Sequence, residues 1–92
     1  IGSGCLFGNG VSIYGTDFHK ITRNGERINH PKPIIIEDKV WCCNDVKILH
    51  GSIIKSGSVI GAGAVVKGSI HSKSIAVGNP AKIVKRGIEW EA

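Results

Sequence analysis

Apolar positions recur along this chain with a period of six. From Ile36, steps of six reach Cys42, Ile48, Ile54, Ile60 and Val66, all compact and apolar. Four residues after each of these anchors stand Val40, Val46, Ser52, Ser58, Ala64 and Ile70, which are small or β-branched. The frame also runs upstream through Ile1, Phe7 and Ile13, with Cys5, Val11 and Asp17 in the second slot. Turn formers fill the gaps: Gly2, Gly4, Gly8, Gly10, Gly15, Asn44, Gly57, Gly61 and Gly63. An amphipathic helix repeats at about 3.6 residues and a half-buried strand at about 2, so neither explains a strict six. The pattern predicts a short strand with one inward aliphatic side chain, then a corner where Gly or Asn tolerates positive φ. Three such sides close a triangular coil of eighteen residues, and stacked coils pair their strands in parallel. The predicted architecture is an all-β parallel β-helix of about three coils, residues 1–18, 36–53 and 54–71, in a single domain spanning 1–92.

The frame breaks between Ile13 and Ile36, which lie 23 residues apart. Residues 19–35 are polar, carry Pro31 and Pro33 near their end, and read as an excursion from the coil wall. Long excursions from a compact repeat are usually functional or disordered. Residues 72–92 read as a C-terminal tail that leaves the repeat. Gly78-Asn79-Pro80 marks a turn, Ile83 and Val84 are placed to fold back on the coil, and 87–92 are expected to form a terminal turn or helix.

Composition agrees with a thin aliphatic core. Gly accounts for 13 of 92 residues, and Phe, Tyr and Trp together for only five. So small a domain is marginal by itself. The chain has no Met, which implies processing or a longer parent protein, and no leader segment is visible at Ile1-Gly2. No apolar run approaches the ~20 residues of a membrane span. Cys5, Cys42 and Cys43 form neither a disulfide framework nor a zinc spacing, so a reducing, cytoplasmic setting is expected. The net charge of +5 is concentrated partly at Lys82, Lys85 and Arg86. Such a patch suits a phosphate-rich ligand, a nucleic acid or an anionic surface, and a solvated basic tail equally. No aromatic stacking platform accompanies it, which argues against nucleic acid.

Three blocks together resemble a known family. Ile60-Gly61-Ala62-Gly63-Ala64-Val65-Val66, followed by Val77-Gly78-Asn79-Pro80-Ala81-Lys82-Ile83-Val84-Lys85, is similar to the end of a hexapeptide-repeat acetyltransferase. Asp17-Phe18-His19, Asn29 and Ile36-Glu37-Asp38-Lys39-Val40-Trp41 resemble that superfamily's active-site region, most closely in its sugar and polysaccharide O-acetyltransferases. The resemblance implies a left-handed winding, homotrimers with active sites between subunits, acetyl-CoA as co-substrate, and a small-molecule or glycan acceptor. It departs from the family at Cys42-Cys43, where Ile-Gly is usual, and at Lys67-Gly68, where Thr-Lys is usual. Cys43 in place of Gly is expected to crowd the donor channel or alter the corner.

Acetyl transfer from a thioester to a hydroxyl needs a base for the acceptor's proton, and a histidine suits that task. By its residues alone, His50 reads as an exposed corner residue, His71 as exposed, and His30, before Pro31 in the loop, as placed to touch a substrate. His19 stands where wall gives way to loop, and the resemblance makes it the catalytic base. Asp17 either orients the His19 ring or helps to hold the loop, or it simply fills a repeat slot. Arg27 and Asn29 are candidates for the acceptor, or form a solvated loop face. The resemblance puts Asn44, Ala62, Lys67 and Gly68 along the donor, and Lys82 and Lys85 at its phosphates. Trp41 reads mainly as packing. Two other readings of the same fold remain. One is a trimeric scaffold without activity. The other is a zinc enzyme like the γ-class carbonic anhydrases, for which the His spacing does not match.

Overall fold

The computed structural model describes all of residues 1–92. Thirteen short strands and no helix make up the chain: β1 (Leu6–Phe7), β2 (Ser12–Tyr14), β3 (Thr22–Arg23), β4 (Glu26–Arg27), β5 (Ile35–Ile36), β6 (Trp41–Cys42), β7 (Lys47–Leu49), β8 (Ile53–Ile54), β9 (Val59–Ile60), β10 (Val65–Val66), β11 (Ser69–Ile70), β12 (Ser74–Val77) and β13 (Lys82–Arg86). They form three parallel faces. One stacks β1, β6, β9 and β12, the second β2, β7 and β10, and the third β5, β8 and β11.

The register places like over like. Phe7 pairs with Cys42, Cys42 with Ile60, and Ile60 with Ala76. Ile13, Ile48 and Val66 stack on the second face, and Ile36, Ile54 and Ile70 on the third. Every anchor from Ile36 to Val66 is buried, and so is every second-slot residue from Val40 to Ala64. The second slot tolerates serine because each buried hydroxyl has an acceptor. Ser52 Oγ donates to the Leu49 carbonyl at 2.6 Å, and Ser58 Oγ to that of His71. A buried hydroxyl without such a partner would be destabilising. The first coil is covered on one side only, which leaves Ile1 78% and Ile13 45% exposed.

Corners keep the same period. Positive φ recurs at Lys39, Asp45, Gly51, Gly57 and Gly63, each six after the last. Asn44 was the expected left-handed residue, but its neighbour Asp45 adopts that conformation (φ 60°). Asn44 instead turns its side-chain oxygen toward the preceding coil, accepting the Asn9 N–H at 2.8 Å. Gly8 is required by the same contact, because a Cβ there would overlap Asn44.

Two expectations about the end of the repeat are corrected. Ile70 is an anchor, not a second-slot residue, since it pairs with Ile54. The Lys67-Gly68 corner is two residues short, with Gly68 at φ 92° making the tighter turn. The shifted frame then continues: Ser74 and Ala76 are fully buried, so the wall runs on to Val77. Beyond it, β13 folds back antiparallel along β12. The final residues form no helix. Trp90 packs at 5.8 Å from Trp41 and donates its indole N–H to the Lys39 carbonyl at 2.9 Å.

The excursion is more ordered than its polarity suggests. β3 and β4 form a hairpin around Asn24-Gly25, both with positive φ. That dipeptide is the strongest short hairpin signal a sequence carries, because the turn it favours matches the twist of the strands.

Candidate active site at the foot of the loop

Where the second face turns toward the third, the returning loop closes a cavity of about 250 Å³. Asp17, Asn29, His30, Lys32, His50, Lys67 and Gly68 are among its lining residues. Asp17 comes from the end of the first coil, and Asn29, His30 and Lys32 from the loop. His50 and Lys67-Gly68 come from successive corners of the wall. The structure thus joins Asp17, Asn29, Lys67 and Gly68, four of the residues singled out in sequence.

The Asp17 carboxylate is the hub. Its Oδ2 accepts the Asn29 side-chain N–H at 3.1 Å and lies 3.1 Å from His50 Nε2. Its polar contacts are to Asn29 of the loop and to His50, which match the hold on the loop among the readings of Asp17. The hydrogen bond from Asn29 holds the carboxyl below the usual carboxylate range, the close contact with His50 acts the same way, and the Lys67 charge adds a smaller push. Asn29 spans the loop. It donates to the His19 carbonyl at 2.7 Å, accepts the Ile21 N–H at 2.7 Å, and accepts Arg27 Nε at 3.3 Å. His19 therefore has its backbone fixed, with its own N–H donated to the Asp17 carbonyl at 2.9 Å, while the residue itself is exposed.

His50 is the residue that sequence reasoning missed. It was read as an exposed corner, yet it is only 8% exposed. None of the other residues two after an anchor is buried, and Asp38, Asn44 and Ala62 are exposed. The returning loop buries His50: the Lys32 N–H donates to its Nδ1 at 3.3 Å, and the Gly51 N–H bonds the Lys32 and Pro33 carbonyls, both at 3.2 Å. No periodic signal could show this, because the covering segment lies outside the repeat.

The remaining candidates sit elsewhere. Asn44 and Ala62 occupy the corner between the first two faces, outside the cavity. Lys82 and Lys85 are exposed on β13. Arg27 is half-buried, tied to Asn29. Cys42 is buried, which pushes its thiol up to about 12, and burial raises Cys43 too, so neither is a thiolate at neutral pH. Cys43 leaves the corner backbone unchanged. Its N–H donates to the Ile60 carbonyl at 2.9 Å, as the Gly8 and Gly61 N–H groups do to Cys42 and Ala76 at 2.8 Å. No three His, Cys, Asp or Glu side chains converge in a metal-binding group.

A parallel coil of hexapeptide sides with an Asp-x-His block at its loop defines a class, and comparison with known proteins agrees with it. No family model matches the chain. The polysialic acid O-acetyltransferase of Escherichia coli O1:K1 / APEC is 42% identical over 92 residues, covering 98% of this chain and 30% of that protein. The crystal structure of the polysialic acid O-acetyltransferase OatWY superposes with a TM-score of 0.95 at 41% identity, covering 100% of this chain and 45% of that one. A hexapeptide-repeat acetyltransferase from Vibrio cholerae O1 biovar eltor, complexed with acetyl-CoA, gives 0.78 at 28% identity, covering 91% and 46%. Along nearly its whole length the chain is thus similar to known O-acetyltransferases and to a hexapeptide-repeat acetyltransferase. It spans less than half the length of each of these three proteins.

Proposed function

We propose that this chain is the base-carrying and donor-binding segment of an acetyl-CoA-dependent O-acetyltransferase acting on a sugar or glycan hydroxyl. The observation that carries the reading is the Asp17–Asn29 network, which fixes the backbone of His19 beside a cavity shared with Lys67 and Gly68.

His19 acts as general base. It takes the proton of the acceptor hydroxyl as that oxygen attacks the thioester carbonyl carbon. The carbon–sulfur bond then breaks, the proton passes to the departing thiolate, and free coenzyme A and an acetyl ester result. Backbone amides along the coil corner stabilise the oxyanion, which needs donors fixed before charge develops. Asn44, Ala62, Lys67 and Gly68 line the pantetheine path. Lys82 and Lys85 meet the adenosine phosphates as solvent-exposed point charges. Arg27 and Asn29 border the acceptor. The coil winds left-handed and three copies assemble, which places each loop against a neighbour's wall. The unpaired thiols suit a cytoplasmic setting.

The test is incubation of the purified protein with acetyl-CoA and a panel of acceptors: a sialic acid polymer, a neutral disaccharide and an amino acid. A free-thiol assay reads coenzyme A release, and mass spectrometry reads the product. Release with a carbohydrate acceptor and an ester product supports the proposal. An amide product would move the acceptor to an amine. No release, together with no acetyl-CoA binding by calorimetry, would leave the inactive scaffold as the reading.

A further inference from the structure

Among the residues lining the cavity, His50 alone is buried, and the acetyl-transfer chemistry gives it no task. Its surroundings define its state. Nδ1 accepts the Lys32 N–H at 3.3 Å, so that nitrogen is unprotonated and the neutral ring carries its proton on Nε2. Nε2 is sealed from solvent, and Asp17 Oδ2 at 3.1 Å is the one acidic oxygen beside it. The N–H direction falls off the line to that oxygen, so the contact holds Asp17 by charge and dipole more than by a linear hydrogen bond. A buried polar nitrogen is costly without such a partner. An aliphatic residue would fill the same space without that cost, so packing alone does not account for the imidazole.

From this contact the links run outward in one direction. His50 belongs to the wall, where β7 is paired on both sides. Asp17 Oδ2 touches both His50 and Asn29, and Asn29 grips the His19 carbonyl and the Ile21 N–H. We propose that His50 is a positioning residue: it ties the rigid wall to Asp17, and through Asn29 sets the backbone on both sides of His19. This deepens the acetyl-transfer reading and rests on it for its catalytic consequence. The link itself can be measured without activity.

The experiment compares His50→Leu, His50→Gln and Asp17→Ala, read by amide hydrogen exchange and by steady-state kinetics. Loss of one such link should speed exchange of the Ile21 amide by about five- to tenfold, while the Ile60 amide in the wall stays protected. In the same variants kcat should fall about tenfold with KM for acetyl-CoA unchanged, because the donor path lies on the wall. His50→Gln, whose amide N–H reaches the Nε2 position, should restore both readouts to within about twofold of the wild type. His50→Leu combined with Asp17→Ala should be no worse than the more damaging single change, since both cut the same link. Unchanged Ile21 exchange in His50→Leu overturns the proposal, as does a Gln variant no better than Leu. If His50→Leu does not fold, the exposed Asp17→Ala decides by the same amide. If the wild type transfers no acetyl group, the acetyl-transfer reading fails and the Ile21 exchange still judges the link.

Discussion

Between Ile36 and Ile70 every inward side chain is aliphatic, Cys or Ser, and every one is buried. Between Asp17 and Pro33 no residue is buried, and the order comes from a few directional bonds centred on Asp17 and Asn29. The two regions are held by different physics. The wall gains from many non-directional contacts, each roughly proportional to the apolar area removed from water. The loop gains little net energy, because each exposed hydrogen bond exchanges for one to water. It gains geometry instead. Changes in the wall should therefore cost folding, and changes in the loop should cost chemistry while folding persists.

The largest break in that contrast is expected from His19→Ala. Turnover should drop by about two to four orders of magnitude, the range for a lost general base. Its thermal midpoint should match the wild type, and a variant that melts early would blur the division. Ile54→Ala should do the reverse. Removing most of a fully buried anchor costs about 2–5 kcal/mol, which lowers the midpoint by about 10 °C or more in a chain of this size. Calorimetry reads that shift directly. Gly8→Ala tests the wall where it depends on close approach. Its new methyl meets Asn44, so about 1–3 kcal/mol should be lost as the corner moves.

Lys82→Ala and Lys85→Ala touch neither the core nor the loop. Each should raise KM for acetyl-CoA about two- to fivefold, the range of an exposed ion pair, and added salt should erase the difference. An unchanged KM would make β13 a solvated edge. The smallest effect concerns acid. Asp17 has a lowered pKa in the folded chain, so its share of loop stability is present above the unfolded value of about 3.9 and is lost as pH falls through the lower folded value. The side-chain amide signals of Asn29 should hold constant down to the ordinary aspartate range and shift only below it. The wall signal of Ile60 should not move with them.

Much of the wall was legible in the residues themselves. A period of six needs only a local rule: one inward aliphatic, one small partner, one residue that tolerates a left-handed corner. Each coil repeats the rule because each sits on a copy of itself, so spacing alone located the anchors from Ile36 to Val66. The frame misled only where the rule was broken locally. At Lys67-Gly68 two residues are missing, and strict counting then put Ile70 in the wrong slot and ended the wall before Ser74 and Ala76. The Asn24-Gly25 hairpin went unread in the polar excursion, although that dipeptide is a turn signal.

By itself, then, the sequence determined the coil, its core and the point where a loop departs at Asp17-Phe18-His19. These follow from local periodicity and turn chemistry, which adjacent residues impose on one another. Tertiary structure decided the rest of the site. Only the loop's return buries His50, only that burial brings its Nε2 to Asp17, and only Asn29, twelve residues further along, completes the link to His19. Those contacts join segments with no common period, so their geometry depends on how the loop closes in space and not on any spacing along the chain.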